Sequence, residues 1–230
     1  MTKPSQPKKQ SWPQTSKTPW QHHFWRVFYD RAAFAYDATL RLADRLHIGS
    51  EERIRREFLT GLELKPRARI LEIGCGTAAN RAFLPTKSTY IGPDHSQQML
   101  RRAQKKCSEA GLDGHFVRAD ALRLPLDSET MDFAFAMGII QHLAYPVHAL
   151  KELVRTVKPG AQLLLIDESR SVARLAGFGQ SLVQLSAKLK EELHLKSIAR
   201  QCIGEYFILL FGKQPLVLTK LLGSCPARPC

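Results

Sequence analysis

The stretch Leu71-Glu72-Ile73-Gly74-Cys75-Gly76-Thr77-Ala78-Ala79-Asn80 constrains this chain more than any other. It continues the run Arg69-Ile70-Leu71, so an apolar extended segment ends in a Gly-x-Gly turn and passes into alanine-rich sequence. That order reads as strand, tight turn and helix start. Glycines there let the backbone approach a ligand, and the N–H groups at a helix N-terminus attract a negative group. Gly74, Gly76 and Ala79 also fit the Gly-x-Gly-x-x-Gly/Ala pattern of dinucleotide sites. Glu72 argues against a dinucleotide, because a carboxylate beside the turn repels a pyrophosphate and welcomes an ammonium.

The following sequence alternates strand and helix: Arg69–Gly74, Thr77–Leu84, Ser88–Gly92, Gln97–Ala110, His115–Ala119, Met131–Met137, Val147–Val157 and Gln162–Asp167. Pro85 and Pro159-Gly160 punctuate it. Such alternation predicts a doubly wound α/β fold, with a mostly parallel sheet covered on both faces. Upstream, Trp25, Phe28, Tyr29, Ala32, Tyr36, Leu40 and Ala43 fall at helical spacing, and Ser50-Glu51-Glu52 opens a second helix reaching about Leu59. Downstream, a leucine-rich stripe predicts a helix over Ser171–Leu193, followed by strands at Leu195–Ile203 and Glu205–Phe211.

Three further segments carry carboxylates or glycines at strand ends. Asp94 follows Gly76 by eighteen residues, an interval that can place a carboxylate on a ribose diol. Asp120 ends the strand-like Phe116-Val117-Arg118-Ala119, and Met137-Gly138 ends another. Glu72-x-Gly74-x-Gly76-Thr77, Gly92-x-Asp94-x-Ser96-x-x-Met99-Leu100, Asp120-Ala121-x-x-Leu124-Pro125 and Leu153-x-Arg155-x-Val157-Lys158-Pro159-Gly160 together resemble class I S-adenosylmethionine-dependent methyltransferases. Within that superfamily the chain is most similar to the type-11 group, which includes the ubiquinone and menaquinone C-methyltransferases. The resemblance covers roughly residues 30 to 212.

The resemblance implies a Rossmann-like fold with seven strands, one of them antiparallel, and S-adenosyl-L-methionine as cofactor. On matching positions it implies that Glu72 serves the cofactor's ammonium and the backbone of Gly74 to Thr77 its carboxylate. Asp94 would accept from the ribose hydroxyls, Asp120 from the adenine amino group, and the Ala121 N–H would meet a ring nitrogen. Met137 and Gly138 would close the pocket. Taken singly, Asp94 and Asp120 also read as ordinary cap or turn residues. Two positions depart from the family pattern: Ala78 stands where a third glycine is usual, and Pro93 precedes Asp94 where an aliphatic residue is usual. The departures keep a non-catalytic cofactor-binding module open as an alternative.

Because the cofactor's methyl is already activated, alignment and desolvation supply most of the gain in methyl transfer. A general base is needed only if the acceptor must lose a proton. His142 has the most suitable intrinsic pKa for that role, beside Tyr36-Asp37, Asp167 and Glu168; its bland alternative is a packing histidine.

Composition sets the remaining bounds. With 230 residues and 44% hydrophobic content the chain can build one core of normal size. Five scattered cysteines form no disulfide framework and no zinc-ligand spacing, so no metal site is expected and a reducing, cytoplasmic compartment is favoured. No run of eighteen apolar residues predicts a membrane span. The net charge of +13 is carried by the ends: residues 1–29 hold five basic and no acidic side chains, and residues 169–230 hold nine and three. The expected organisation is a disordered basic tail at 1–19, a helical lid at 20–65, a methyltransferase domain at 66–213 and a C-terminal tail at 214–230. Basic and aromatic ends suit weak contact with an anionic membrane surface. The region after the fourth strand, Ala136-Met137-Gly138-Ile139, lacks the motifs of adenine or cytosine methylation in nucleic acid. A small, apolar or aromatic methyl acceptor, such as a quinone precursor or lipid, is therefore favoured. The rival is an RNA or protein methyltransferase using the basic ends.

Overall fold

The computed structural model describes residues 51–143, 145–168, 195, 197–203 and 206–212. The aromatic N-terminal helix, Tyr36-Asp37, the helix at Ser171–Leu193 and both tails lie outside the described residues. Three α-helices are described: α1 (Glu51–Leu59), α2 (Gln97–Glu109) and α3 (Pro146–Thr156). Seven strands, β1 (Arg69–Ile73), β2 (Thr89–Asp94), β3 (His115–Arg118), β4 (Met131–Met137), β5 (Val157–Glu168), β6 (Ser197–Ile203) and β7 (Tyr206–Gly212), form one sheet in the order β3-β2-β1-β4-β5-β7-β6. β1 to β5 pair in parallel, whereas β7 is antiparallel to both β5 and β6. The expected Rossmann-like fold with one antiparallel strand is the observed one.

Alternation along the strands explains why both faces are covered. Ile70, Tyr90, Phe133, Phe135, Leu164 and Ile166 face one side and pack with Ile54, Phe58 and Leu59 of α1 and Leu100 and Ala103 of α2. Leu71, Ile73, Ala134, Ala136, Leu163 and Leu165 face the other and pack with Leu150 and Leu153 of α3. Thus α1, read from sequence as part of a lid segment, shares the core of the sheet. Helix α2 starts where the sequence signals it: the Ser96 side chain accepts from the Met99 N–H at 3.2 Å.

One expected element is absent. Thr77–Leu84 forms no α-helix; turns lead into a single 3-10 turn at Arg81–Phe83. Ala78 adopts φ +55°, a left-handed conformation that interrupts a right-handed helix. Downstream, the segment is anchored by side chains. Arg81 is fully buried, donating from Nε to the Asp113 carbonyl at 2.8 Å and from its two Nη atoms to the Pro85 and Thr86 carbonyls at 3.3 and 3.2 Å. Its guanidinium also lies 5.8 Å from the Tyr90 ring centroid.

Replacing Arg81 therefore removes three hydrogen bonds from a charged donor as well as emptying its site, although the Pro85 carbonyl keeps its bonds from Ser88. Arg81→Ala is expected to cost about 3 kcal/mol in urea denaturation, since a fully buried side chain is lost together with its hydrogen bonds from a charged donor. A cost below about 1 kcal/mol would contradict this anchoring role.

Candidate functional site

The strand order reverses between β1 and β4, and ligands of open α/β sheets sit at the carboxyl ends of the strands flanking such a reversal. The Gly74–Thr77 loop leaves β1 there, and Met137-Gly138 leaves β4. Gly74 (φ +65°) and Gly76 (φ +52°) both need the glycine backbone. Their surroundings differ. A Cβ on Gly74 would fall 2.0 Å from Ile139 Cδ1, whereas one on Gly76 or Gly138 would meet nothing within 4 Å. Gly74 is thus a packing glycine under the loop after β4, and Gly76 and Gly138 present bare backbone to open space.

The loop is held by β2. Pro93 offers no N–H to the sheet, yet its carbonyl accepts from the Gly74 and Cys75 N–H groups at 2.9 and 3.3 Å. The Gly76 N–H donates to Asp94 Oδ2 at 2.9 Å, and the Ser96 N–H to Asp94 Oδ1 at 2.8 Å. This corrects one expectation: the amides of Gly74, Cys75 and Gly76 are committed inside the protein, so they do not form the open anion cradle of a helix N-terminus. The Thr77 hydroxyl accepts from Lys106 Nζ at 3.1 Å.

Asp94 and Asp120 both prove to be turn residues, each with Oδ1 accepting from the N–H two positions on. They differ in access. Asp94 is 8% exposed, and Asp120 is exposed next to the half-buried Ala121. A carboxylate oxygen carries two lone pairs, so a turn bond leaves acceptor capacity for a ligand hydroxyl or amino group. The segment after Asp120 is clamped from α3. The Leu124 N–H donates to Glu152 Oε2 at 3.0 Å, and Arg155 donates to the Leu124 and Leu126 carbonyls at 3.3 and 2.9 Å. Arg155 also pairs with Glu152 at 2.8 Å.

Glu72 differs most from its expected setting. It is 1% exposed, on the sheet face shared with Tyr90. Oε1 accepts from Asn80 Nδ2 at 2.6 Å and Oε2 from the Tyr90 hydroxyl at 2.5 Å. Asn80 Oδ1 in turn accepts from Arg55 Nε at 2.7 Å. Burial outweighs these bonds and raises the Glu72 pKa to about 7. The same burial, with Glu72 beside it, pushes the Tyr90 hydroxyl well above its ordinary value. Arg55, Asn80 and Tyr90 had no motif to mark them; only the buried carboxylate, which demands partners, could have prompted a search.

His142 ends a 3-10 turn at Ile140–His142, beyond Gly138. Burial lowers its pKa to about 4, removing the near-neutral value that recommended it as a base. Asp167 is fully buried. Among the described residues, no group of three or more His, Cys, Asp or Glu is placed to hold a metal ion, and no helix is long and apolar enough to cross a membrane.

Comparison with known proteins follows the same outline. A type-11 methyltransferase domain model matches residues 71–165. The 27-O-demethylrifamycin SV methyltransferase of Amycolatopsis mediterranei is 28% identical over 150 residues, 64% of this chain and 50% of that protein. The demethylmenaquinone methyltransferase of Bacillus cytotoxicus is 28% identical over 134 residues, 55% of this chain and 54% of that protein. The chain therefore spans about half the length of these curated relatives. Among solved structures, the N-methyltransferase NodS of Bradyrhizobium japonicum with S-adenosylhomocysteine shares the fold at TM-score 0.61 and 19% identity, over 70% of this chain and 86% of that one. A S-adenosylmethionine-dependent methyltransferase of Aquifex aeolicus does so at 0.59 and 22%, over 73% and 91%. With the strand order, the glycine turn at the reversal point and the carboxylates ending β2 and following β3, these likenesses support one reading: residues 71–165 are similar to the methyltransferase domain of the type-11 group, on a fold shared with S-adenosylmethionine-dependent methyltransferases.

Proposed function

We propose that the protein transfers a methyl group from S-adenosylmethionine to a small apolar or aromatic acceptor. The observation that carries this reading is the bare backbone of Gly76 and Gly138 at the reversal point, flanked by Asp94 and Asp120. Open space at both glycines leaves room for a ligand between the ends of β1 and β4. Asp94 and Asp120 have the acceptor capacity for ribose hydroxyls and an adenine amino group, with the Ala121 N–H as a neighbouring donor. Glu72 supplies negative charge beneath the loop for the ammonium, Thr77 continues the loop, and Met137 lines the wall beside Gly138. When bound, the cofactor supplies an electrophilic methyl on a positive sulfur. The protein's own contribution is to align the acceptor and exclude water.

Two relatives act, by name, on demethylmenaquinone and 27-O-demethylrifamycin SV. Their identities support a small-molecule acceptor and leave its chemistry to experiment. A cytoplasmic enzyme meeting a water-poor acceptor at an anionic membrane surface fits the basic, aromatic ends of the chain. Transfer of labelled methyl from S-adenosylmethionine to demethylmenaquinone, a lipid extract and RNA, assayed in parallel, tests the acceptor class. Labelling of RNA alone would overturn it.

His142 is not assigned the role of general base in this reading. With a pKa of about 4 it is neutral at pH 7 and has little driving force to take a proton. Removing a general base typically costs 10²–10⁴-fold. His142→Ala is instead expected to lower kcat by less than about tenfold; a hundredfold loss with an intact fold would restore the base role. The depressed pKa also predicts acid lability. The unfolded chain takes up a proton on His142 below pH 6.5 and the folded one only near 4, so its share of stability is lost as pH falls through that window.

Asp120→Ala removes an exposed carboxylate with one local bond, so the fold should persist. Its expected cost to S-adenosylhomocysteine binding is about 1.5–3 kcal/mol, at least tenfold by calorimetry. Unchanged affinity in both this variant and Asp94→Ala would remove these two residues from the site.

Ala78 is 2% exposed and belongs to the apolar core that also holds Cys75 and Leu100, so its methyl does not face open space. Ala78→Gly should therefore leave cofactor affinity within about threefold, since Gly at φ +55° changes backbone strain and not ligand clearance. A tenfold gain would mean that the methyl crowds the ligand.

A further inference from the structure

A line of polar side chains, half-buried at Glu51 and buried from Arg55 onward, runs from the last strand to the glycine loop. The Tyr206 hydroxyl donates to Glu51 Oε1 at 3.1 Å, and Glu51 Oε2 accepts from Arg55 Nη2. Arg55 Nε donates to Asn80 Oδ1, Asn80 Nδ2 donates to Glu72 Oε1, and Tyr90 closes the line on Glu72 Oε2. The direction of the line is fixed by chemistry. A guanidinium has only donors, so the oxygen of Asn80 must face Arg55 and its NH₂ must face Glu72. That NH₂ cannot accept a proton from Glu72. When Glu72 is protonated, its proton must sit on Oε2, with the Tyr90 oxygen as acceptor. Ionised Glu72 instead receives both bonds. The pair thus has two defined states, and Arg55 with Asn80 favours the ionised one.

We propose that Arg55, acting through Asn80, is a positioning residue for Glu72, and that seating a ligand ammonium beside Glu72 releases one proton from the Glu72–Tyr90 pair. The inference rests on the cofactor reading above and adds to it a role for α1 and a linkage between binding and pH. Among the described residues, the charged and titratable groups that act on Glu72 are Arg55 from α1, Tyr90 and Asp94 from β2, Cys75 from the loop and Cys107 from α2. Among these groups only Arg55 is a cation that favours the ionised form, so a ligand cation adds to one positive neighbour among the described residues. With a midpoint of about 7, both states are populated near neutrality.

Calorimetry of S-adenosylhomocysteine binding to the full chain, in two buffers of different ionisation enthalpy, counts the protons. The expected release is about half a proton at pH 7, approaching one near pH 6 and vanishing above about pH 8. Affinity should be about tenfold weaker at pH 6 than at pH 8. Methylthioadenosine, which lacks the ammonium, should release none. Arg55→Met should move the release window to higher pH, with Arg55→Lys between it and the parent. No release at any pH, or equal release with methylthioadenosine, overturns the proposal. If S-adenosylhomocysteine does not bind, the cofactor reading falls on its own. The positioning role is then read from a carboxyl ¹³C NMR titration of Glu72 in the ligand-free chain. Arg55→Met, or Arg55→Lys if Met does not fold, must raise the midpoint; an unchanged midpoint overturns the role.

Discussion

A carboxylate buried in an apolar sheet face is the constraint around which this structure is arranged. Glu72 projects from β1 into the side that also holds Ile70, Tyr90, Phe133 and Phe135. An unpaired acid there would be costly, so each oxygen must find a donor. Two donors meet them, Asn80 from the loop after β1 and Tyr90 from β2, and Arg55 of α1 fixes the first by donating to Asn80 Oδ1. Satisfying one side chain therefore sets how the glycine loop turns, where β2 lies and how α1 docks. Burial still prevails over the bonds, which leaves the acid titrating near neutrality rather than near 4.5.

The same demand explains the loop's shape. A helix beginning at Thr77 would have to carry Asn80 and Arg81 at helical φ and ψ through Ala78. Instead Ala78 turns left-handed, Asn80 reaches Glu72 and Arg81 reaches three carbonyls around Asp113 and Pro85. Pro93 and Asp94 then hold the first half of the loop from β2. Asp94 is accordingly a structural residue. The ligand role proposed for it is compatible with that, because a carboxylate accepts more bonds than the loop uses.

The layered fold was legible because period-2 alternation and glycine-terminated strands act locally and do not depend on what lies opposite. β1, β4 and α2 fall within one or two residues of their expected bounds. The helix expected after the glycine turn does not form, for an equally physical reason. Alanine-rich sequence favours a helix, but the left-handed Ala78 and the partners sought by Asn80 and Arg81 are non-local and override that preference. In the same way, the lowered pKa of His142 could not be read from the sequence, since an intrinsic pKa is a property of the side chain and burial is a property of the fold.

The amino-acid sequence by itself determined the order of strands and helices, the glycine turn and the residue types available at the strand ends. Those follow from backbone preference and hydrophobic period, which neighbouring residues settle among themselves. Only the tertiary structure decided that Gly76 and Gly138 face open space while Gly74 lies against Ile139, and that Asp120 is exposed while Asp94 is nearly enclosed. Only it joined Arg55, Asn80, Glu72 and Tyr90 into one line. These residues are up to 35 positions apart, and no local rule pairs them. What pairs them is the cost of leaving a buried charge unsatisfied, which exists only once the sheet has closed over it.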